Sequence, residues 1–136
     1  MTLQHKEIFE RYVYAGAITH DAEAVAQLFT EDGVYEAPLL PDGLALPRRM
    51  TGRAEIRSGV LAYHRQSPDH GTVNIEQSGY VLHDTAEPDV FIAEIDTVLD
   101  TPDGRPVTMS LVQIFRLRDG RIASLRDYFS LPGTEV

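Results

Sequence analysis

From about residue 89 onward the chain settles into a period of two and keeps it for most of its remaining length. Residues 89–100 (DVFIAEIDTVLD), 106–118 (PVTMSLVQIFRLR) and 121–130 (RIASLRDYFS) each alternate apolar or β-branched side chains with polar ones. That is the pattern of a strand with two unlike faces. Asp103-Gly104 and Asp119-Gly120 separate them, and Asp-Gly is a strong hairpin signal because glycine tolerates the positive φ of a tight turn. Three long strands joined by short turns make an antiparallel meander. Val73, Ile75 and Val81, after Gly71, mark one further strand ahead of it.

The first half has a different period. Ile8, Phe9, Tyr12 and Val13 recur at helical spacing within residues 4–16. A second helix starts near Asp21, with Thr19 as a plausible N-cap, Asp21 and Glu23 in the first turn, and Val25, Leu28 and Phe29 as the buried stripe. Glu31-Asp32-Gly33 ends it, and Val34-Tyr35-Glu36-Ala37 reads as a short strand. Residues 38–47 (PLLPDGLALP) hold three prolines and four leucines, a stiff apolar loop suited to the rim of a pocket or to packing on the core. Thr51-Gly52-Arg53 opens a third helix running to about Gln66, with Ile56, Val60 and Tyr63 as its stripe. Gly59 lies on that stripe, where glycine costs about 1 kcal/mol relative to alanine. It marks a close approach by a ligand or by a neighbouring element. Helices first and a meander after them specify an α+β domain. Long strands curving around the helices would enclose a pocket.

Composition narrows the possibilities. A chain of 136 residues with 43% apolar content suits a single domain, residues 1–136, with a real core. There is no cysteine, which excludes disulfides, thiolate metal sites and cysteine nucleophiles. Net charge is −9, and the eleven arginines and one lysine are scattered, so nucleic acid is not an expected partner. Neither a signal peptide nor a membrane span is legible, so a soluble cytoplasmic protein without a membrane partner is expected. No histidine–carboxylate spacing suggests a metal, and no glycine-rich phosphate loop appears, so no cofactor is expected.

Asp96 and Asp127 lie on strand-like segments apolar enough to belong to a core. A carboxylate facing a core is costly unless paired, hydrogen-bonded or protonated. Two of them, with Glu94 on the same face as Asp96 by period two, suggest a pocket with acid–base chemistry. The alternative is an outward face, where Asp127 would pair with Arg126 or Arg116. Tyr12, Tyr14 and Tyr63 are candidates to point hydroxyls into the pocket, although each could equally be core packing. His64 and His70 are single histidines with no partner pattern.

In order and spacing the chain resembles the NTF2-like superfamily, which includes ketosteroid isomerase, the SnoaL-like polyketide cyclases, the phenazine-biosynthesis A/B proteins and limonene-1,2-epoxide hydrolase. The segments that carry the resemblance are Leu28-Phe29-Thr30-Glu31-Asp32-Gly33-Val34-Tyr35, Thr51-Gly52-Arg53-Ala54-Glu55-Ile56 and Gly120-Arg121-Ile122 through Arg126-Asp127-Tyr128-Phe129. From Glu94 to Leu131 the chain is similar to limonene-1,2-epoxide hydrolase, with Gly104-Arg105, Ser110, Phe115, Leu117 and Arg126-Asp127-Tyr128-Phe129 in register. The resemblance implies that Asp127 removes a proton from water, Asp96 donates one to the epoxide oxygen, and Tyr35 helps hold the water. Two positions depart from that pattern: the family's arginine falls at Glu94 and its asparagine at Ala37. Arg48 or Arg49, entering from the apolar loop, would have to replace the missing cation. The ketosteroid isomerase base also falls at Ala37. The phenazine proteins' histidine falls at Gly59 and their serine at Tyr63, while their last-strand acid matches Asp127.

The expectation is therefore an NTF2-like α+β cone, with three N-terminal helices packed on a curved, mostly antiparallel sheet around an apolar pocket. Asp127, Asp96, Tyr35 and Glu94 would be catalytic. Tyr14, Tyr63, Gly59, Arg49, Val98, Met109, Leu111, Leu125 and Phe129 would contact substrate. The reading is cofactor-free epoxide opening on a small apolar or polycyclic molecule. A SnoaL-like cyclisation or isomerisation in secondary metabolism is the alternative, and a non-catalytic binding or dimerisation domain the third. The outer sheet face, with Thr108, Val112 and Ile114, suits a homodimer.

Overall fold

A computed structural model describes residues 3–44, 46–66 and 71–130. His70 lies outside the described residues. Three helices, α1 (Leu3–Val13), α2 (Ala22–Gln27) and α3 (Arg53–Gln66), cover one face of a strongly curled mixed sheet of seven strands. The strands are β1 (Phe29–Glu36), β2 (Arg49–Thr51), β3 (Thr72–Val73), β4 (Gly79–Asp84), β5 (Val90–Asp100), β6 (Pro106–Arg118) and β7 (Arg121–Tyr128). Their order is β2-β1-β7-β6-β5-β3, and β4 pairs with β5 beside β3. This is the NTF2-like α+β cone.

The meander is in place. Asp119 and Gly120 both adopt positive φ (51° and 76°), the geometry of a tight primed turn between β6 and β7. Gly104 has φ 83° in the wider turn between β5 and β6. The ladder from Val90↔Arg116 to Asp100↔Pro106 runs unbroken and is centred on Asp103. All pairings are antiparallel except that of β1 with β7, which is parallel and carries an irregularity between Phe29 and Val34.

Several boundaries differ from those expected. The second helix ends at Gln27 and β1 begins at Phe29, because Leu28 and Phe29 continue into the sheet beside Ile122. Its N-cap is Asp21, not Thr19: the Asp21 carboxylate accepts a hydrogen bond from the Ala24 N–H at 3.0 Å. Between α1 and α2 the chain makes a π-helical turn, Tyr14–Ile18, closed by the Thr19 N–H donating to the Tyr14 carbonyl at 2.8 Å. Residues 72–84 form two short strands, because Asn74 to Ser78 make a turn between them. The three-residue β2 was not legible in so short a segment.

Helices and sheet share one apolar core. Phe9, Phe91 and Phe115 are fully buried, with Phe91 and Phe115 stacked at 4.6 Å between ring centroids and Phe9 edge-on to Phe115 at 6.0 Å. Offset and edge-on pairs add to the burial energy of such rings. Gly59 of α3 packs against Met50 of β2 and Pro47, so a side chain there would collide with the Met50 sulfur. The close approach at Gly59 is therefore made by a neighbouring strand. No described helix is long and apolar enough to cross a membrane.

Candidate functional site

The concave face of the sheet and the three helices enclose a cavity of about 410 Å³. Ligand cavities are typically about 300–1,000 Å³. β5 contributes Ile95, Thr97 and Leu99, β6 contributes Met109, Leu111 and Gln113, and Asp127 and Phe129 come from β7 and just beyond it. Tyr12, Val60, Tyr63, His64 and the π-helical turn form the helical wall, and Tyr35 enters from β1.

Asp127 is 5% exposed in this largely apolar surrounding. Its Oδ2 accepts a hydrogen bond from the Tyr35 hydroxyl at 2.8 Å, and its Oδ1 accepts one from Gln113 Nε2 at 3.2 Å. Gln113 lies directly opposite on the β6–β7 ladder, and Tyr35 sits beside Leu125 on the parallel β1–β7 pair. Burial pushes the Asp127 pKa from the ordinary 3.8 to about 6, against the two hydrogen bonds that hold it down. Burial, and then the Asp127 charge, lift Tyr12, Tyr35 and Tyr63 above the ordinary tyrosine range. The three phenols therefore stay protonated around a carboxylate that titrates just below neutrality. That arrangement suits a general base flanked by neutral hydrogen-bond donors.

Asp96 and Glu94 do not join it. Asp96 is exposed on the opposite face of β5, where its Oδ1 accepts from the Ser110 hydroxyl at 2.6 Å, and Glu94 contacts His83 on the same outer surface. The physical reason is ladder register. Asp96 pairs with Ser110, whereas the cavity residues Met109 and Leu111 pair with Thr97 and Ile95. Val98 shares the outer parity of Asp96 and is likewise absent from the cavity. The inward set of β5 is Phe91, Ala93, Ile95, Thr97 and Leu99.

Four other expected contacts lie elsewhere. Tyr14 is 63% exposed on the outside of the π-helical turn. Arg49 faces solvent and pairs with Glu36 at 3.5 Å, and Arg48 pairs with Asp42 at 2.7 Å, so neither supplies a cation to the cavity. Leu125 is fully buried beneath the site in the core, and Gly59 packs on Met50. Tyr63, Met109, Leu111 and Phe129 do line the cavity.

Gln113 and His64 are among the lining residues that the sequence did not assign to the pocket. Gln113 stands in the period-two stripe Met109–Leu111–Gln113–Phe115, where a polar residue in an apolar row was the available signal. His64 completes Ile56, Val60, His64 at intervals of four on α3, which places it on the buried stripe. Among the described residues, no cluster of three histidine, aspartate or glutamate side chains is placed to hold a metal ion.

A pocket between helices and a curled sheet, with one buried carboxylate among tyrosines, marks an NTF2-like cone with a cavity of ligand size. The SnoaL-like domain family matches residues 9–125, and the chain belongs to that family. It is 32% identical over 112 residues to an uncharacterized PhzA/B-like protein of Pseudomonas aeruginosa, covering 81% of this chain and 73% of that one. A solved Bacillus subtilis structure whose name suggests an isomerase aligns with TM-score 0.71 and 25% identity, covering 93% of this chain and 86% of its own. A Mycobacterium tuberculosis epoxide hydrolase resembling limonene-1,2-epoxide hydrolase aligns with TM-score 0.61 and 22% identity, covering 95% and 84%.

Proposed function

We propose that this protein is a cofactor-free acid–base enzyme acting on a small apolar or polycyclic molecule, with Asp127 as the group that moves the proton. The observation that carries this reading is the Asp127 carboxylate inside an apolar cavity, held by Tyr35 and Gln113, with a pKa of about 6. Such a group is mostly ionised at neutral pH, yet basic enough to accept a proton from carbon or water.

The reaction best served by one buried carboxylate is a proton shuttle. Asp127 takes a proton from a carbon next to a carbonyl, and the hydroxyl of Tyr12 or Tyr63 donates a hydrogen bond to the enolate oxygen. Asp127 then returns the proton at a second carbon, which is an isomerisation. If the enolate carbon instead attacks an internal carbonyl, a ring closes and Asp127 returns its proton to the new alkoxide. Epoxide opening needs a general acid as well as a base. With Asp96 and Glu94 on the outer face, that acid would have to be a tyrosine whose pKa burial raises. The placement favours isomerisation or cyclisation over hydrolysis, and the open apolar cavity reaching Asp127 favours an enzyme over a purely structural domain.

The test is a panel of cyclic unsaturated ketones and of cyclic epoxides, incubated in heavy water and in oxygen-labelled water, with wild type and Asp127→Asn. Deuterium entering a ketone with wild type alone supports the shuttle. A labelled diol supports hydrolysis. Turnover by neither enzyme on any member argues for binding without catalysis.

A homodimer through the outer sheet face is part of the same proposal. Val81 (58% exposed) and Val112 (37% exposed) flank Glu94 in one cross-strand row there. Light scattering on the purified chain decides between one copy and two.

A further inference from the structure

His64 is 8% exposed and lines the cavity, yet takes no part in the proposed proton transfer. Its surroundings fix how it can act. The π-helical turn ends at Ile18, and His20 follows with φ 55°, so the helix breaks and the Gly16 carbonyl faces the His64 ring. Carbonyls in the last turn of a helix need an outside donor. His64 Nε2 sits 2.8 Å from that oxygen. A carbonyl can only accept, so Nε2 carries the proton and Nδ1 is the bare, accepting nitrogen of the neutral ring. His20 stacks on the ring face at 4.6 Å, which leaves the ring edge uncovered by that contact. Nδ1 is buried and has no hydrogen-bond partner among the described residues.

A second buried acceptor shares this property. Gln113 gives its Nε2–H to Asp127, which fixes the amide orientation, and its Oε1 likewise has no partner among the described residues. Unpaired buried acceptors are costly, and they become favourable only when a donor arrives. Among the described residues that line the cavity, none is a lysine or an arginine. These two acceptors therefore call for N–H or O–H donors, not for anions.

We propose that His64 is a specificity-determining residue, whose Nδ1 accepts a hydrogen bond from a hydroxyl or N–H on the substrate at a point separate from the atoms Asp127 works on. The separation follows from the neighbours of each group. The Asp127 carboxylate is held by Tyr35 and Gln113, whereas the His64 ring is held by the Gly16 carbonyl and the His20 ring. The substrate class is a neutral ring system bearing at least one donor away from its reacting atoms. A carboxylate at that position would meet an acceptor and is rejected. This inference rests on the cavity being the substrate site.

The experiment uses four anthraquinones: one hydroxyl at one end, hydroxyls at both ends, the second hydroxyl methylated, and a carboxylate in its place. Wild type is expected to bind the two-ended diol about five- to tenfold more tightly than the single hydroxyl, the span of one net hydrogen bond. The methyl ether should lose that gain, and the carboxylate should bind more weakly still. His64→Gln keeps an amide N–H near the Gly16 carbonyl but places no acceptor at Nδ1, so its diol preference should fall to about onefold with the melting temperature little changed. His64→Asn keeps an acceptor near Nδ1 and sacrifices the Gly16 contact. It should retain part of the preference while melting earlier. If either variant fails to fold, imidazole nitrogen NMR on wild type still decides: the bare Nδ1 resonance must shift with the diol and not with the methyl ether.

An equal diol preference in wild type and His64→Gln, or an Nδ1 resonance unmoved by the diol, overturns the proposal and leaves His64 as a cap on Gly16. Binding of none of the four overturns it together with the cavity reading. A diol preference that vanishes in His64→Gln, while Asp127→Asn turns over substrate normally, leaves this proposal standing and removes the catalytic one.

Discussion

Asp127 and Asp96 lie on the two strands that flank β6, and each bonds to the β6 residue directly across its ladder. Asp127 faces Gln113 and Asp96 faces Ser110. Those two partners stand three residues apart on β6, an odd spacing, so they point to opposite sides of the sheet. One carboxylate is shut inside an apolar cavity with its pKa raised to about 6, and the other rests in solvent against a serine. Nothing in their immediate sequence separates them. Burial makes the difference between the two carboxylates, and ladder parity decides burial.

The sharpest way to break this contrast is to neutralise each acid in turn. Asp127→Asn should lower turnover by about 10²–10⁴-fold, the usual worth of a positioned base. Asp96→Asn should leave it unchanged, with turnover assays on the substrate found in the panel as the check. An equal loss in both would place chemistry on the outer face.

The second test is stability against pH. In the folded protein Asp127 holds its proton up to about 6, against 3.8 ordinarily. Between those values the folded state binds more protons than the unfolded one, so stability falls as pH rises through this window, by on the order of 3 kcal/mol. The decline is complete above the folded pKa and absent in Asp127→Asn. Urea unfolding of both proteins at about pH 4 and about pH 7.5 isolates the difference, because all other carboxylates are shared.

A smaller effect follows from Tyr35→Phe. Its hydroxyl holds the Asp127 pKa down, so its removal should raise that pKa and move the acidic limb of the rate profile upward by about one unit. A limb that stays at wild-type pH would mean that another group carries the proton. The smallest effect belongs to Glu94→Gln, where surface substitution should shift stability by less than about 0.5 kcal/mol.

The same parity explains what the sequence made legible. Element types, the meander and the Asp-Gly turns could be read directly, because periodicity and turn chemistry are local. Asp127, Tyr35, Tyr63, Met109, Leu111 and Phe129, expected at the pocket, do line the cavity, and each sits in a row whose other members are mostly apolar. β5 is different: Val90, Ile92 and Val98 on its outer side are as apolar as Ile95 and Leu99 on its inner side. Period two then ties Glu94, Asp96 and Val98 together but does not say which way they face, and a choice of the wrong side moves all three at once. The hairpin centred on Asp103 held the answer, because it pairs Asp96 with Ser110 and leaves Met109 and Leu111 opposite Thr97 and Ile95. The Tyr35–Asp127–Gln113 cluster depends on a parallel contact between distant segments, for which no local pattern exists.

That parallel contact also governs when the site comes into being. β1 can find β7 only after every intervening strand has been made, and the hydrogen bond from Tyr35 to Asp127 joins residues 92 positions apart. Closing so long a loop is an entropic cost met before any of its contacts form, which slows folding. On the ribosome, α1, α2 and β1 emerge with their apolar faces uncovered and wait for the last strand. The cavity is thus among the last features to form, and a chain stopped short of β7 carries the helical wall of a pocket but no carboxylate within it.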